Sequence, residues 1–123
     1  MSGNRILLDT NIVLYLLTGD STLAEFLQEK QAYISIISEL ELIGFPAISS
    51  RELDHIRLFI RSCEVVPINE EIKAHYIALR RKYKIKLGDA SIAATALFLD
   101  IPLITADKQF RQIEELELTL YDK

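Results

Sequence analysis

Four acidic residues stand where carboxylates distant in sequence can meet in space. Asp9 follows Ile6-Leu7-Leu8, Glu41 follows Tyr33-Ile34-Ser35-Ile36-Ile37, Asp107 follows Leu103-Ile104, and Asp89 opens an alanine-rich helix. In an open parallel α/β sheet the carboxyl ends of the strands share one edge, and ligands bind in the crevice outside it. Carboxylates gathered there repel one another unless a cation neutralises them, and hard oxygen ligands suit Mg²⁺ or Mn²⁺. The chemistry such a site supports is metal-assisted, in-line attack of water on a phosphate ester, with one or two ions. Asp9, Glu41, Asp89 and Asp107 are the candidate catalytic and metal-ligating residues, with Asp9 central. No nucleophilic side chain is required.

Each acid also has a purely local explanation. Ser38-Glu39-Leu40-Glu41 matches the Ser-x-x-Glu capping box, so Glu41 would simply hold its own helix start. Asp89 would complement a helix dipole from the first turn, and Asp9 and Asp107 would serve as N-caps. Capping needs no convergence, whereas metal chemistry needs several carboxylates in one place. Their joint occurrence at a predicted sheet edge favours the site. Thr10, Asn11, Ser38 and Thr105 supply hydroxyl and amide groups that would hydrogen-bond the carboxylates, water or the scissile phosphate, and such outer partners tune a metal site.

The elements that must position these residues alternate. Arg5 to Leu8 reads as a short buried strand, and Asp9-Thr10-Asn11 supplies turn and cap chemistry for a helix over about Ile12 to Leu17, broken by Gly19 and Asp20. Thr22-Leu23-Ala24-Glu25 is a capping box opening a helix to about Glu29, and Ala32 to Ile36 is rich in strand formers. A short helix from Ser38 stops at Gly44-Phe45-Pro46. Ser49-Ser50-Arg51-Glu52 is another capping box, and Leu53, Ile56 and Phe59/Ile60 give its helix an apolar stripe. Val65 and Val66 form a small strand before Pro67.

Asn69 then caps a helix whose Ile72, Tyr76, Leu79 and Tyr83 fall on one face, with Lys73, Arg80 and Lys84 on a neighbouring stripe. A helix from about Gly88 to Leu99 carries Ala90, Ala93, Ala94 and Ala96, small enough to let its backbone lie close to a neighbour. Asp100-Ile101-Pro102 turns into the strand Leu103-Ile104, and a last strand falls near Leu118 to Leu120. Strands alternating with helices indicate βαβ units and an α/β fold with a mainly parallel sheet.

The chain has 123 residues, half of them hydrophobic, which suits a single domain over residues 1–123. One cysteine excludes an internal disulfide, and no apolar run reaches the ~18 residues of a membrane span. The amino-terminal Met-Ser-Gly-Asn-Arg lacks the apolar core of a signal peptide, so a cytoplasmic location is expected. A net charge of −4, from 14 basic and 18 acidic residues, looks wrong for a protein that approaches nucleic acid. Setting aside the four candidate ligands leaves 14 of each sign, so the net acidity is expected to be local to the site. Arg80, Arg81, Lys82, Lys84 and Lys86 crowd just before Asp89. Together with Lys73, the members Arg80, Lys84 and Lys86 are candidates for RNA backbone contact, against the ordinary reading of a solvated helix face.

Taken in order, Leu8-Asp9-Thr10-Asn11, Ile34-Ser35-x-x-Ser38-x-x-Glu41-Leu42, Asp89-x-x-Ile92-Ala93-Ala94-Thr95-Ala96 and Pro102-Leu103-Ile104-Thr105-x-Asp107-x-x-Phe110 resemble the signature of PIN-domain ribonucleases. The resemblance runs from Leu8 to Phe110, and within the family it is nearest the toxin subunits of VapBC-type toxin–antitoxin pairs. It implies a three-layer α/β fold and a Mg²⁺ or Mn²⁺ site made by Asp9, Glu41, Asp89 and Asp107. It also implies endonucleolytic cleavage of RNA, a homodimer, and inhibition by a small antitoxin protein. Two positions depart from the family pattern. Gln109 stands where many relatives carry another acid, which puts a fifth acidic ligand in doubt, and Ser38 replaces the commoner threonine while keeping its hydroxyl.

Other classes fit less well. A stand-alone PIN ribonuclease or a catalytically weak PIN binding module would share the fold, but the intact quartet argues against the second. A Mg²⁺-binding receiver-type signalling domain needs an aspartate ending a mid-chain strand, and Asp54 lies in the helical Arg51-Glu52-Leu53-Asp54-His55 segment. An aspartyl-nucleophile phosphatase would want a second aspartate where Asn11 stands. His55, His75 and Cys63 have no partner motif and read as structural, and the aromatic residues mostly fit apolar stripes, with no base-stacking platform among them.

Overall fold

Five short strands, β1 (Arg5–Leu8), β2 (Gln31–Ser35), β3 (Glu64–Val66), β4 (Leu103–Thr105) and β5 (Leu118–Leu120), form one parallel sheet in the order β3-β2-β1-β4-β5. This is seen in a computed structural model that describes residues 4–122. Met1–Gly3, which the signal-peptide expectation drew on, lie outside the described residues. β1 is central, and Ile6, Leu7 and Leu8 are almost fully buried, as a strand covered on both faces requires. Its register sets Leu7 beside Leu103 and Leu8 beside Ile104.

Successive strand side chains point to opposite faces, and this divides the core in two. Leu7 and Leu103 pack with Ile72, Leu79, Ile92 and Ala93, on the side of α5 (Glu70–Lys82) and α6 (Leu87–Leu99). Ile6, Leu8, Ile34 and Ile104 pack with Ile12, Leu23, Leu42 and Ile56, on the side of α1 (Thr10–Leu17), α2 (Ser21–Leu27), α3 (Ile36–Ile43) and α4 (Ser50–Arg61). The result is the three-layer α/β architecture expected from the alternation of elements. Along α6 every residue from Ala90 to Ala96 is buried, and the hydroxyls of Ser91 and Thr95 are satisfied by carbonyls one turn back.

Three local expectations are corrected. The Thr22–Glu25 box does not form, because Asp20 accepts from Leu23 N at 3.0 Å and opens α2 instead. Nor does the Ser38–Glu41 box: Ser35, the last residue of β2, caps α3 by accepting from Ile37 N, and Ser38 lies fully buried inside the helix. The Lys73, Arg80, Lys84 stripe is cut short, since α5 ends at Lys82 and Tyr83 is already extended. The Ser49–Glu52 box and the Asn69 cap form as expected.

The chain runs from β1 outward to β3 and then returns to the other side of β1 for β4 and β5. The direction of winding therefore reverses between β1 and β4, and their carboxyl ends flank the crevice where such sheets bind ligands.

Candidate active site

Asp9 and Asp107 follow the two strands at that reversal. Asp9 caps α1: its Oδ1 accepts from Thr10 N at 2.8 Å and its Oδ2 from Thr105 Oγ1 at 2.6 Å. Asp107 opens a short 3-10 helix, Lys108–Gln112, with Oδ1 accepting from Gln109 N at 2.9 Å, while its own N–H donates to Thr105 Oγ1 at 3.0 Å. One fully buried hydroxyl thus ties the two acids together across the strand pair. The local cap reading of both residues is correct and does not compete with convergence, because each cap uses only part of the carboxylate's capacity.

Glu41 reaches the same edge by another route. It is the sixth residue of α3, far past the cap, and its Oε1 lies 2.6 Å from Thr10 Oγ1. Thr10 Oγ1 also lies 2.9 Å from Ser38 Oγ. A threonine hydroxyl has a single hydrogen and an ionised carboxylate only accepts, so Thr10 donates to Glu41 and Ser38 supplies the other bond. The other carboxylate oxygen passes over Gly88 of α6, where an added Cβ would stand 3.4 Å from Glu41 Oε2. Asp89, the third residue of α6, is half-buried on a helix whose Lys86 cap position makes no side-chain bond.

The electrostatics agree with the geometry. Burial pushes the Asp9 carboxyl above its ordinary range, the bonds from Thr105 and Thr10 oppose that, and the charges of Asp89 and Asp107 raise it further. Asp89 is also raised, first by burial, then by the charge of Asp107 and, less, of Glu41, with Lys86 acting in the opposite direction. All four carboxylates, with Thr10 and Asn11, line one cavity of about 710 Å³. Among the described residues no three acidic, imidazole or thiol groups stand close enough together to hold an ion as they are placed. The donors are all oxygens, and the raised proton affinity of Asp9 and Asp89 is what a hard divalent cation would counter.

The basic candidates make separate local contacts. Lys73 pairs with Glu70 at 2.8 Å, Arg80 donates to the Tyr76 hydroxyl at 2.9 Å, and the Lys84 carbonyl accepts from Gln112 Nε2. Of this set, Lys86 is the one whose charge acts on Asp89. Exposed His55 and His75 lie on α4 and α5, away from the cavity lining, and so does half-buried Cys63. Asp54 is exposed within α4, not at a strand end, which removes the receiver-type reading.

Two contributions escaped sequence reasoning. Gly88 makes room for Glu41, a contact between distant segments with no local signature. Phe45 does not join an apolar stripe: it is exposed and lines the same cavity. The available signal was a phenylalanine between Gly44 and Pro46, in a segment that must be a turn.

The PIN domain family profile matches residues 6–116. Among solved structures the chain is similar to a toxin-antitoxin complex from Klebsiella pneumoniae, with 31% identity, TM-score 0.82, and 96% of this chain and 99% of that one covered. It is similar also to VapBC-1 from nontypeable Haemophilus influenzae, with 29% identity, TM-score 0.83, and 97% and 99% covered. VapBC2 from Rickettsia felis, bound to a DNA fragment from their promoter, shares the fold at 22% identity and TM-score 0.82, with 96% and 99% covered. No curated protein matches the chain.

Proposed function

We propose, for a chain that belongs to the PIN-domain family, that it is a divalent-metal-dependent endoribonuclease and the toxin of a VapBC-type toxin–antitoxin pair. Members of this family are nucleases. The observation that carries the finer reading is the meeting of Asp9, Glu41, Asp89 and Asp107, from four separate segments, in one cavity at the β1–β4 reversal. These residues would hold one or two Mg²⁺ or Mn²⁺ ions. Bound there, the metal would lower the pKa of the attacking water and stabilise charge on the leaving oxygen in an in-line displacement.

The chain's own groups prepare that site. Thr105 fixes the Asp9 carboxylate and the start of the Asp107 segment together, and the Ser38–Thr10 pair orients Glu41. Asn11, exposed at the start of α1, offers an amide to a non-bridging phosphate oxygen. Water's oxygen bonds to phosphorus as the bond to the leaving sugar oxygen breaks, so no side chain becomes covalently modified. The single domain spans residues 1–123 in this reading. An antitoxin partner is supported by the similarity of this chain to a solved toxin-antitoxin complex, and we propose that the antitoxin is small and that the chain is a homodimer. Among the described residues no helix is long and apolar enough to cross a membrane, and we assign a cytoplasmic location. The test is incubation of purified protein with RNA in Mg²⁺, Mn²⁺ or chelator: cleavage at internal positions is expected with metal, and undiminished cleavage in chelator would sink the reading.

Lys73, Arg80, Lys84 and Lys86 are proposed to hold RNA backbone, with Lys86 contributing most because it stands beside Asp89. Each phosphate contact removed from a single strand lowers the slope of log affinity against log salt by about 0.7. Alanine at Lys86 is expected to show that decrease, and alanine at all four a larger one. A slope unchanged by the fourfold variant returns these residues to a solvated face.

A further inference from the structure

The cavity that holds the carboxylates has a second wall of opposite character. Leu14 of α1, Leu40 of α3, and Phe45, Pro46, Ala47 and Ile48 of the segment joining α3 to α4 line the same space. Leu14, Leu40 and Phe45 are 40%, 61% and 66% exposed, a concentration of apolar surface that ordinary surfaces leave scattered. Ala47 has a φ of 62°, in the left-handed region that residues with a Cβ seldom adopt. The segment therefore turns at some cost while Phe45 remains outside the core.

No described residue lining the cavity is a lysine or arginine. This wall has no cationic side chain with which to hold a phosphate. An aromatic ring flanked by aliphatic side chains does accept the flat face of a nucleobase. The wall is also continuous with the carboxylates, and a phosphodiester placed there carries a nucleoside on either side, so a base must lie next to the scissile group. We infer that Leu14, Leu40 and Phe45 form a nucleobase subsite that stacks an unpaired base adjoining the scissile phosphate. This deepens the nuclease reading and rests on it. A base in a duplex has both faces covered by its neighbours and must be extruded before it can stack on protein. The subsite therefore takes only bases that are unpaired or extruded.

The test is single-turnover cleavage in Mg²⁺ of a single-stranded RNA oligonucleotide, of the same strand in a duplex, and of a series with one abasic residue moved along it. Phe45→Ala is expected to raise the half-saturating protein concentration ~5- to 150-fold, the range that a base stacked on an aromatic ring commands. Phe45→Trp should retain wild-type behaviour. An abasic residue beside the cut should cost the wild type a similar factor and Phe45→Ala nothing further, because ring and base act as one coupled pair. Phe45 is exposed, so its truncation leaves no core cavity, and an unchanged thermal melt would confirm that the variant is folded.

The inference is overturned if Phe45→Ala saturates like wild type, if the abasic penalty is equal in both proteins, or if duplex is cut as readily as single strand. It is overturned as well if Phe45→Ala converts a dimer to a monomer in sedimentation with RNA saturation unchanged, since the wall would then face a second copy of the chain. Wild-type protein that cuts normally beside an unaffected Phe45→Ala removes the subsite alone. Wild-type protein that cuts no RNA removes the nuclease reading and the subsite together.

Discussion

Asp9→Asn is expected to remove nearly all RNA cleavage, by roughly 10³-fold or more, equivalent to about 4 kcal/mol of lost transition-state stabilisation. The fold should survive. Asparagine is as good an N-cap as aspartate, so the bond from Thr10 N is retained. The second bond is the one that changes, because an amide nitrogen would face Thr105 Oγ1 where a carboxylate oxygen now accepts at 2.6 Å. The hydroxyl can rotate to accept from that amide, but it already accepts from Asp107 N, and its own hydrogen is then left without a partner in a fully buried place. The cost is about 1–3 kcal/mol, enough to lower the melting temperature and too little to unfold a chain of ordinary stability. Cleavage rate in Mg²⁺ and thermal denaturation of the same preparation separate the two effects. An Asp9→Asn protein that is folded and as active as wild type would remove Asp9 from the chemistry.

The parts of this arrangement that were legible in advance are those with local causes. Ile6, Leu7 and Leu8 identify a doubly covered strand by composition, and Ser49 and Asn69 identify helix starts because their bonds reach only three residues onward. Where two capping residues lie close together, the pattern does not say which is used. Ser35 prevails over Ser38 because β2 ends at Ser35, so the chain is already turning, and Ser38 is directed inward to Thr10. The stripe through Lys84 failed for a related reason. Tyr83 continues the helical spacing by coincidence of position while its backbone has left the helix, and Ile85 packs on the core from the extended link to α6. What no local pattern carries is contact between segments distant in sequence. The seat of Glu41 over Gly88 and the placing of Phe45 in the acidic cavity follow only from the way α3, α6 and the 44–49 segment come together.

The same cluster makes stability depend on metal and on pH in a direction that caps alone do not predict. Asp9 and Asp89 have carboxyl groups raised above their ordinary value of 3.8 by burial and by neighbouring negative charge. A raised folded-state value means that the contribution of these groups to stability is fully present below pH 3.8 and is lost as pH rises through the raised values. In chelator, then, the cluster weakens the protein at neutral pH. Removing one charge should relieve it: Asp89→Asn is expected to be neutral or stabilising there, since Asp89 is not the cap of α6 and forfeits only a helix-dipole interaction of about 0.3–1 kcal/mol. Added Mg²⁺ should stabilise wild type by RT ln(1 + [L]/Kd), about 2.7 kcal/mol at a hundredfold excess over Kd, a rise on the order of 10 °C for a domain of this size. It should stabilise Asp89→Asn and Asp107→Asn much less. Caps behave otherwise. On the cap account alone, Asp107→Ala loses the bond from Gln109 N, about 1 kcal/mol, to the same extent with or without Mg²⁺. Thermal melting of wild type and the three variants, in chelator and in Mg²⁺, decides between the accounts. A shift that is equal in all four proteins, or absent from all of them, would mean that the carboxylates gathered at the β1–β4 edge do not hold the ion, and metal-assisted hydrolysis at this site would lose its physical basis.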